Sequence, residues 1–82
     1  MARVRMRFFA AARDATGCAT TELDVATLGD ALAAARATYG TDLGVVLDCA
    51  RVWVNGDEPD DGDRAVLHDG DEVAVIPPVS GG

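Results

Sequence analysis

The sequence predicts an α+β domain: a mixed sheet of four to five strands with one main helix lying on one face. Three observations predict it. Apolar residues alternate with period two near both ends of the chain, in Val4, Met6, Phe8 and again in Val73 and Val75. Between them, the clearest run of apolar positions at helical spacing is the stretch that starts at Thr27 and stops at Gly40. With 82 residues, 49% of them hydrophobic, the chain can bury one core but lacks the material for a second layer on the far face of the sheet.

The elements follow in order. Val4, Met6 and Phe8 alternate with Arg3, Arg5 and Arg7, the pattern of a strand with one apolar face, and Phe9 then falls on the arginine side. Residues 10–17, AAARDATG, break the alternation and end in a glycine, so they read as a connecting loop rather than a helix. Thr21, Leu23 and Val25 alternate with Thr20, Glu22 and Asp24, giving a second strand that the short connection makes antiparallel to the first. Thr27 can cap a helix, a contribution of about 1 kcal/mol, and Asp30 sits where an acid favours the helix dipole. Leu28, Ala31, Leu32, Ala35 and Tyr39 form its apolar stripe, and Gly40 is placed to end it. Alanine within that stripe lets the helix lie close to a sheet.

Residues 41–50 read as irregular and partly buried, although Val45, Val46 and Leu47 also suit a helical turn. Val52 and Val54 mark a third strand, followed by the Asn55-Gly56 turn signal. The acidic DEPDDGD stretch reads as a loop, and Ala65, Val66 and Leu67 as a short edge strand. Asp69-Gly70-Asp71 is a further turn before EVAVI, the strongest strand, which Pro77 and Pro78 halt. If that last strand pairs parallel with the first, both become central. The result is the β-grasp arrangement, with the body at 1–76, an extended tail at 77–82, and the far sheet face open to a partner.

Composition excludes several function classes. A formal net charge of −7 argues against nucleic acid, whose phosphates favour a basic stripe, and makes a partner with a basic face the natural expectation. All seven cationic side chains are arginine, as expected of a composition biased towards Ala, Arg, Gly and Asp, and no lysine amine is available to attack an activated carboxyl group. Cys18 and Cys49 are far apart with no metal-ligand spacing, so free thiols are expected. His68, flanked by a turn, reads as a solvated loop residue. The eight acids from Asp57 to Glu72 lack the order of a calcium loop and read as a solvated acidic edge. No apolar stretch approaches membrane-spanning length, and Arg13 and Asp14 cut short the run after Phe8, so neither a membrane span nor a secretory leader is expected and the cytoplasm is the expected compartment.

The chain closes on Pro-Pro-Val-Ser-Gly-Gly. Two glycines carry no Cβ and let a backbone pass through a narrow channel, which suggests that the terminal carboxyl is itself the reacting group. The prolines stiffen the base of the tail, and six residues from Pro77 reach at most about 20 Å. FFAAARDATG, VNG and DGDEVAVIPPVSGG, in this order of elements, resemble the small, sulfur-carrying subunit of molybdopterin synthase, a ubiquitin-like family. The resemblance covers essentially the whole chain and is most specific in the final stretch. It implies that Gly82 is adenylated by a ubiquitin-activating-like adenylyltransferase that uses ATP, and is then converted to a thiocarboxylate by a sulfur donor system. It also implies that Pro78, Val79, Ser80 and Gly81 enter a channel in the large synthase subunit, in a heterotetramer, where sulfur passes to cyclic pyranopterin monophosphate. No permanently bound cofactor is implied.

Parity in the strands, together with that resemblance, makes Phe9 and Ile76 expected partner-interface anchors, with Arg5 and Arg7 beside them as charge partners. Glu58 departs from the family's apolar preference near that position. Other sulfur carriers of the same fold, feeding thiazole or cysteine synthesis, would use Gly82 in the same way. A ubiquitin-like modifier would join Gly82 to target amines, and a plain interaction module would not need Gly82.

Overall fold

Alternation of the kind seen in residues 2–8 buries every second side chain, and the computed structural model, which describes residues 1–78, places them accordingly. Strand β1 (Ala2–Phe8) buries Ala2, Val4, Met6 and Phe8 and exposes Arg3, Arg5 and Arg7. Strand β2 (Thr20–Val25) pairs antiparallel with it, from Ala2 opposite Val25 to Arg7 opposite Thr20. Strand β3 (Arg51–Val54) pairs antiparallel with β4 (Glu72–Ile76), and β4 pairs parallel with β1. The sheet order is β2-β1-β4-β3, so the two ends of the body supply its two central strands. This is the expected β-grasp sheet, with four strands.

Each helix buries apolar residues in one cluster with Val4, Met6, Phe8, Val73 and Val75, and so covers the same face of the sheet. Helix α2 (Leu28–Tyr39) is the main one. The Thr27 hydroxyl accepts the Asp30 amide at 3.2 Å, Leu28, Ala31 and Ala35 are buried, and Gly40 closes the helix at φ 78°. At its far end the Tyr39 ring meets Phe8 edge to face, centroids 5.6 Å apart.

Three expectations need correction. Residues 10–17 are not a loop: Ala11–Thr16 form a helix, α1, which buries Ala12 and ends at Gly17 in the left-handed region (φ 75°), whose amide donates to the Arg13 carbonyl at 2.8 Å. Residues 41–50 are not irregular: Thr41–Cys49 form helix α3, with Leu43 and Leu47, one turn apart, in the core. Residues 65–67 do not form a strand. A single bridge joins Val66 to Thr27, Leu67 plugs the core, and a 3-10 turn at Gly62–Arg64 precedes them. That bridge, with the Leu67 amide donating to the Ala26 carbonyl and the Leu28 amide to the Ala65 carbonyl, ties the segment to the β2–α2 connection instead of extending the ladder along β2.

The thiols are free, Cys18 half-buried and Cys49 exposed. His68 is exposed, while its backbone amide donates to the Asp71 carboxylate at 2.8 Å. Among the described residues no helix is long and apolar enough to cross a membrane, and no group of three or more His, Cys, Asp or Glu side chains could hold a metal ion.

Candidate functional site

Since the helices share one face, the alternate side chains of the four strands stand on the other. Register sets them in rows. Arg7 and Trp53 both pair with Ala74, which puts the three in one row across β1, β4 and β3. Ile76 pairs with Arg51, and the Phe9 amide donates to the Val75 carbonyl at 3.2 Å, so the β1–β4 ladder continues one step past β1 and carries Phe9 to the flank of Ile76. Phe9, Ile76, Ala74 and Trp53 thus make an apolar patch at the end of the sheet from which the tail departs. Phe9 is 40% and Trp53 37% exposed, large values for aromatic side chains.

Arginines border this patch. The Arg7 guanidinium lies over the Phe9 ring, 5.5 Å from its centroid, and its Nη1 is 3.4 Å from Glu72 Oε1. Arg3 is engaged with Glu22 at 3.6 Å and Asp24 at 3.2 Å, and Arg51 with Glu58 at 3.7 Å. Arg5 stands in register between Glu22 and Glu72, yet has no ion-pair partner among the described residues, because Arg3 and Arg7 hold those two acids. All these pairs are solvent-exposed, so each contributes about 1 kcal/mol or less and can exchange for a partner's carboxylate.

The structure therefore sets Arg7, Phe9 and Ile76 together, while Arg5 stands on the same face in the Glu72 row, two rows from Ile76. Sequence reasoning missed Trp53. Its signal was available in the RVWV alternation, since Val52 and Val54 turned inward leave Trp53 outward. Of the predicted tail, Pro77 is buried and belongs with the body, Pro78 is exposed, and Val79, Ser80, Gly81 and Gly82 lie outside the described residues.

A tight frame fixes the opposite end of the sheet. Asn55 and Gly56 both have positive φ, 53° and 86°, and form the two-residue turn between Val54 and Asp57. Asn55 Oδ1 accepts the Glu72 amide at 2.9 Å, and its Nδ2 donates to Asp71 at 2.9 Å. The bond from Asn55 Nδ2, with that from the His68 amide, holds the Asp71 carboxyl below the ordinary aspartate range. Tyr39 is pushed above the usual phenol range by its contact with Cys18 Sγ at 3.5 Å and by burial. Beside it, between β2 and α2, lies a cavity of about 90 Å³, well short of the several hundred cubic ångströms a small-molecule site occupies.

Comparison with known proteins places this geometry. No functionally curated protein matches the sequence. Small archaeal modifier protein 1 from Haloferax volcanii is 32% identical, covers 98% of this chain and 99% of its own, and superposes with a TM-score of 0.84. The corresponding protein from Methanosarcina acetivorans is 27% identical over 100% of this chain and 98% of its own, with a TM-score of 0.88. A chain of the protein-protein complex of subunits 1 and 2 of molybdopterin-converting factor from Helicobacter pylori shares the fold at 24% identity, covering 98% of this chain and 99% of its own, with a TM-score of 0.75. The profile of the ThiS family matches residues 6–82. With a β-grasp body and a family match over nearly its whole length, the chain belongs to the ThiS family of ubiquitin-like proteins.

Proposed function

We propose that this chain is a sulfur carrier for molybdenum cofactor biosynthesis and that the carboxyl group of Gly82 is its working group. A carboxylate is a poor electrophile. An ATP-dependent adenylyltransferase first joins it to AMP with release of pyrophosphate, and a sulfur donor then displaces AMP, leaving a thiocarboxylate. That soft anion is a competent sulfur nucleophile towards cyclic pyranopterin monophosphate bound by the large synthase subunit. The carrier itself holds no cofactor, and ATP belongs to the activating enzyme.

One observation carries the reading: β4 is a central strand that ends at Ile76 beside Phe9 and Trp53, so docking of the open face aims the following residues at whatever the face covers. Family membership supports the carrier chemistry. The solved complex of subunits 1 and 2 of molybdopterin-converting factor supports a large subunit as partner. Under this reading Pro78, Val79, Ser80 and Gly81 thread the partner's channel, and two copies bind a dimeric large subunit.

The test is reconstitution. Thiocarboxylated protein mixed with the large subunit and cyclic pyranopterin monophosphate is expected to yield the dithiolene with matching loss of thiocarboxylate. The identities of 32% and 27% to archaeal modifier proteins favour a second reading, in which activated Gly82 forms an amide with target amines. Conjugates that survive reduction, with no dithiolene formed, would establish that reading in place of the first. Loss of thiazole or cysteine synthesis on gene deletion would point to a different acceptor.

A further inference from the structure

We propose that Trp53 and Arg5 make the open sheet face selective for a partner surface with an apolar centre and a carboxylate at its rim. The proposal rests on the carrier reading above and commits to one occupant of this face, the enzyme that activates Gly82, which would use it in turn with the large subunit. Net charge points the other way, since a chain at −7 should attract a basic partner. Charge is distributed unevenly, however. Arg3, Arg5, Arg7 and Arg51, four of the seven arginines, stand on the open face, and the three from β1 line its middle.

Among them Arg5 differs. It projects from a central strand one row from Ala74 and Trp53, and no acid of the described residues pairs with it. An arginine held on a rigid strand and left without a carboxylate suits a bidentate pair with an incoming Asp or Glu. A basic rim on the partner would instead meet Arg5 and Arg7 with like charge. Trp53 supplies a broad apolar surface that Phe9 and Ile76 alone would not, on the β3 side of the patch. Tryptophan and arginine are the residue types that most often carry binding energy in such patches.

Trp53 is the only tryptophan, so it is also a single-site probe. Protein labelled with 5-fluorotryptophan would be titrated with the activating enzyme of the same organism in the presence of ATP, and the fluorine resonance followed. The proposal expects the line to shift or broaden on binding. W53A should weaken binding by about 10-fold or more, and W53F, which keeps an apolar ring, by much less. R5E should weaken binding by about 10-fold, and R5Q should flatten its salt dependence. Thermal melts of each variant separate lost binding from lost folding. An unmoved fluorine line while Gly82 is adenylated would overturn the proposal and leave the carrier reading standing. Tighter binding by R5E would also overturn it, because the partner's rim would then be basic. Absence of any adenylation would bring down the carrier reading and this proposal together.

Discussion

Asn55 shows how much one side chain decides here. A non-glycine residue at φ 53° is strained unless its side chain finds local partners, and Asn55 finds two, the Glu72 amide and the Asp71 carboxylate. Asn55→Ala keeps the strain and removes both bonds, so it is expected to lower stability by about 1–3 kcal/mol in urea unfolding. Asn55→Gly, which removes the strain as well, should cost less. Asp71 adds a pH signature to the same frame. An unfolded aspartate titrates near pH 4, at about 3.9, and the folded value lies lower because Asn55 and the His68 amide donate to the carboxylate. Its contribution is therefore fully present above about pH 4 and is lost as pH falls through the folded value. Melts of the wild type and Asp71→Asn across that acid range should converge. A gap that stays constant with pH would assign the stabilisation to something other than this carboxylate.

Among the elements, strands and the main helix were legible because their signals are periodic over several residues and end in strong stops. The Thr27 cap and Gly40 stop both function as the sequence implies. Helices α1 and α3 were harder for a shared reason: neither has a side-chain cap at its start, and both begin at residues with positive φ, Ala10 and Gly40. Six residues with one buried alanine make too short a pattern for α1 to be read alone, and the helix depends on packing against α3. For α3 the spacing of Leu43, Val46 and Leu47 was the available clue, with Leu43 wholly buried. Leu43→Ala should cost about 2–5 kcal/mol, seen as a lower denaturation midpoint with little change in slope. A cost below about 0.5 kcal/mol would mean that α3 is peripheral to folding.

For the whole molecule, the fold builds a one-sided platform, and on the proposed function the chemistry belongs to the residues that follow it. Helices crowd one face of the sheet, the other stays open, and the parallel pairing of β1 with β4 sets the departure point of the tail beside Phe9, Ile76 and Trp53. The candidate site was legible in part because strand parity alone puts Arg5, Arg7 and Phe9 on one side. Trp53 escaped because a strand of four residues offers little alternation, and its neighbours become visible only through the register with β4. Net charge averages over faces that the fold keeps apart, so it does not report the arginines gathered on the open one. The most direct measurement is the intact mass of the protein after incubation with its activating enzyme, ATP and a sulfur donor, beside a variant lacking Gly82. The account predicts the mass change of one oxygen replaced by sulfur, mapped to Gly82 and absent from the truncated variant. An unchanged mass in the full chain, with the activating enzyme shown to be competent, would contradict it.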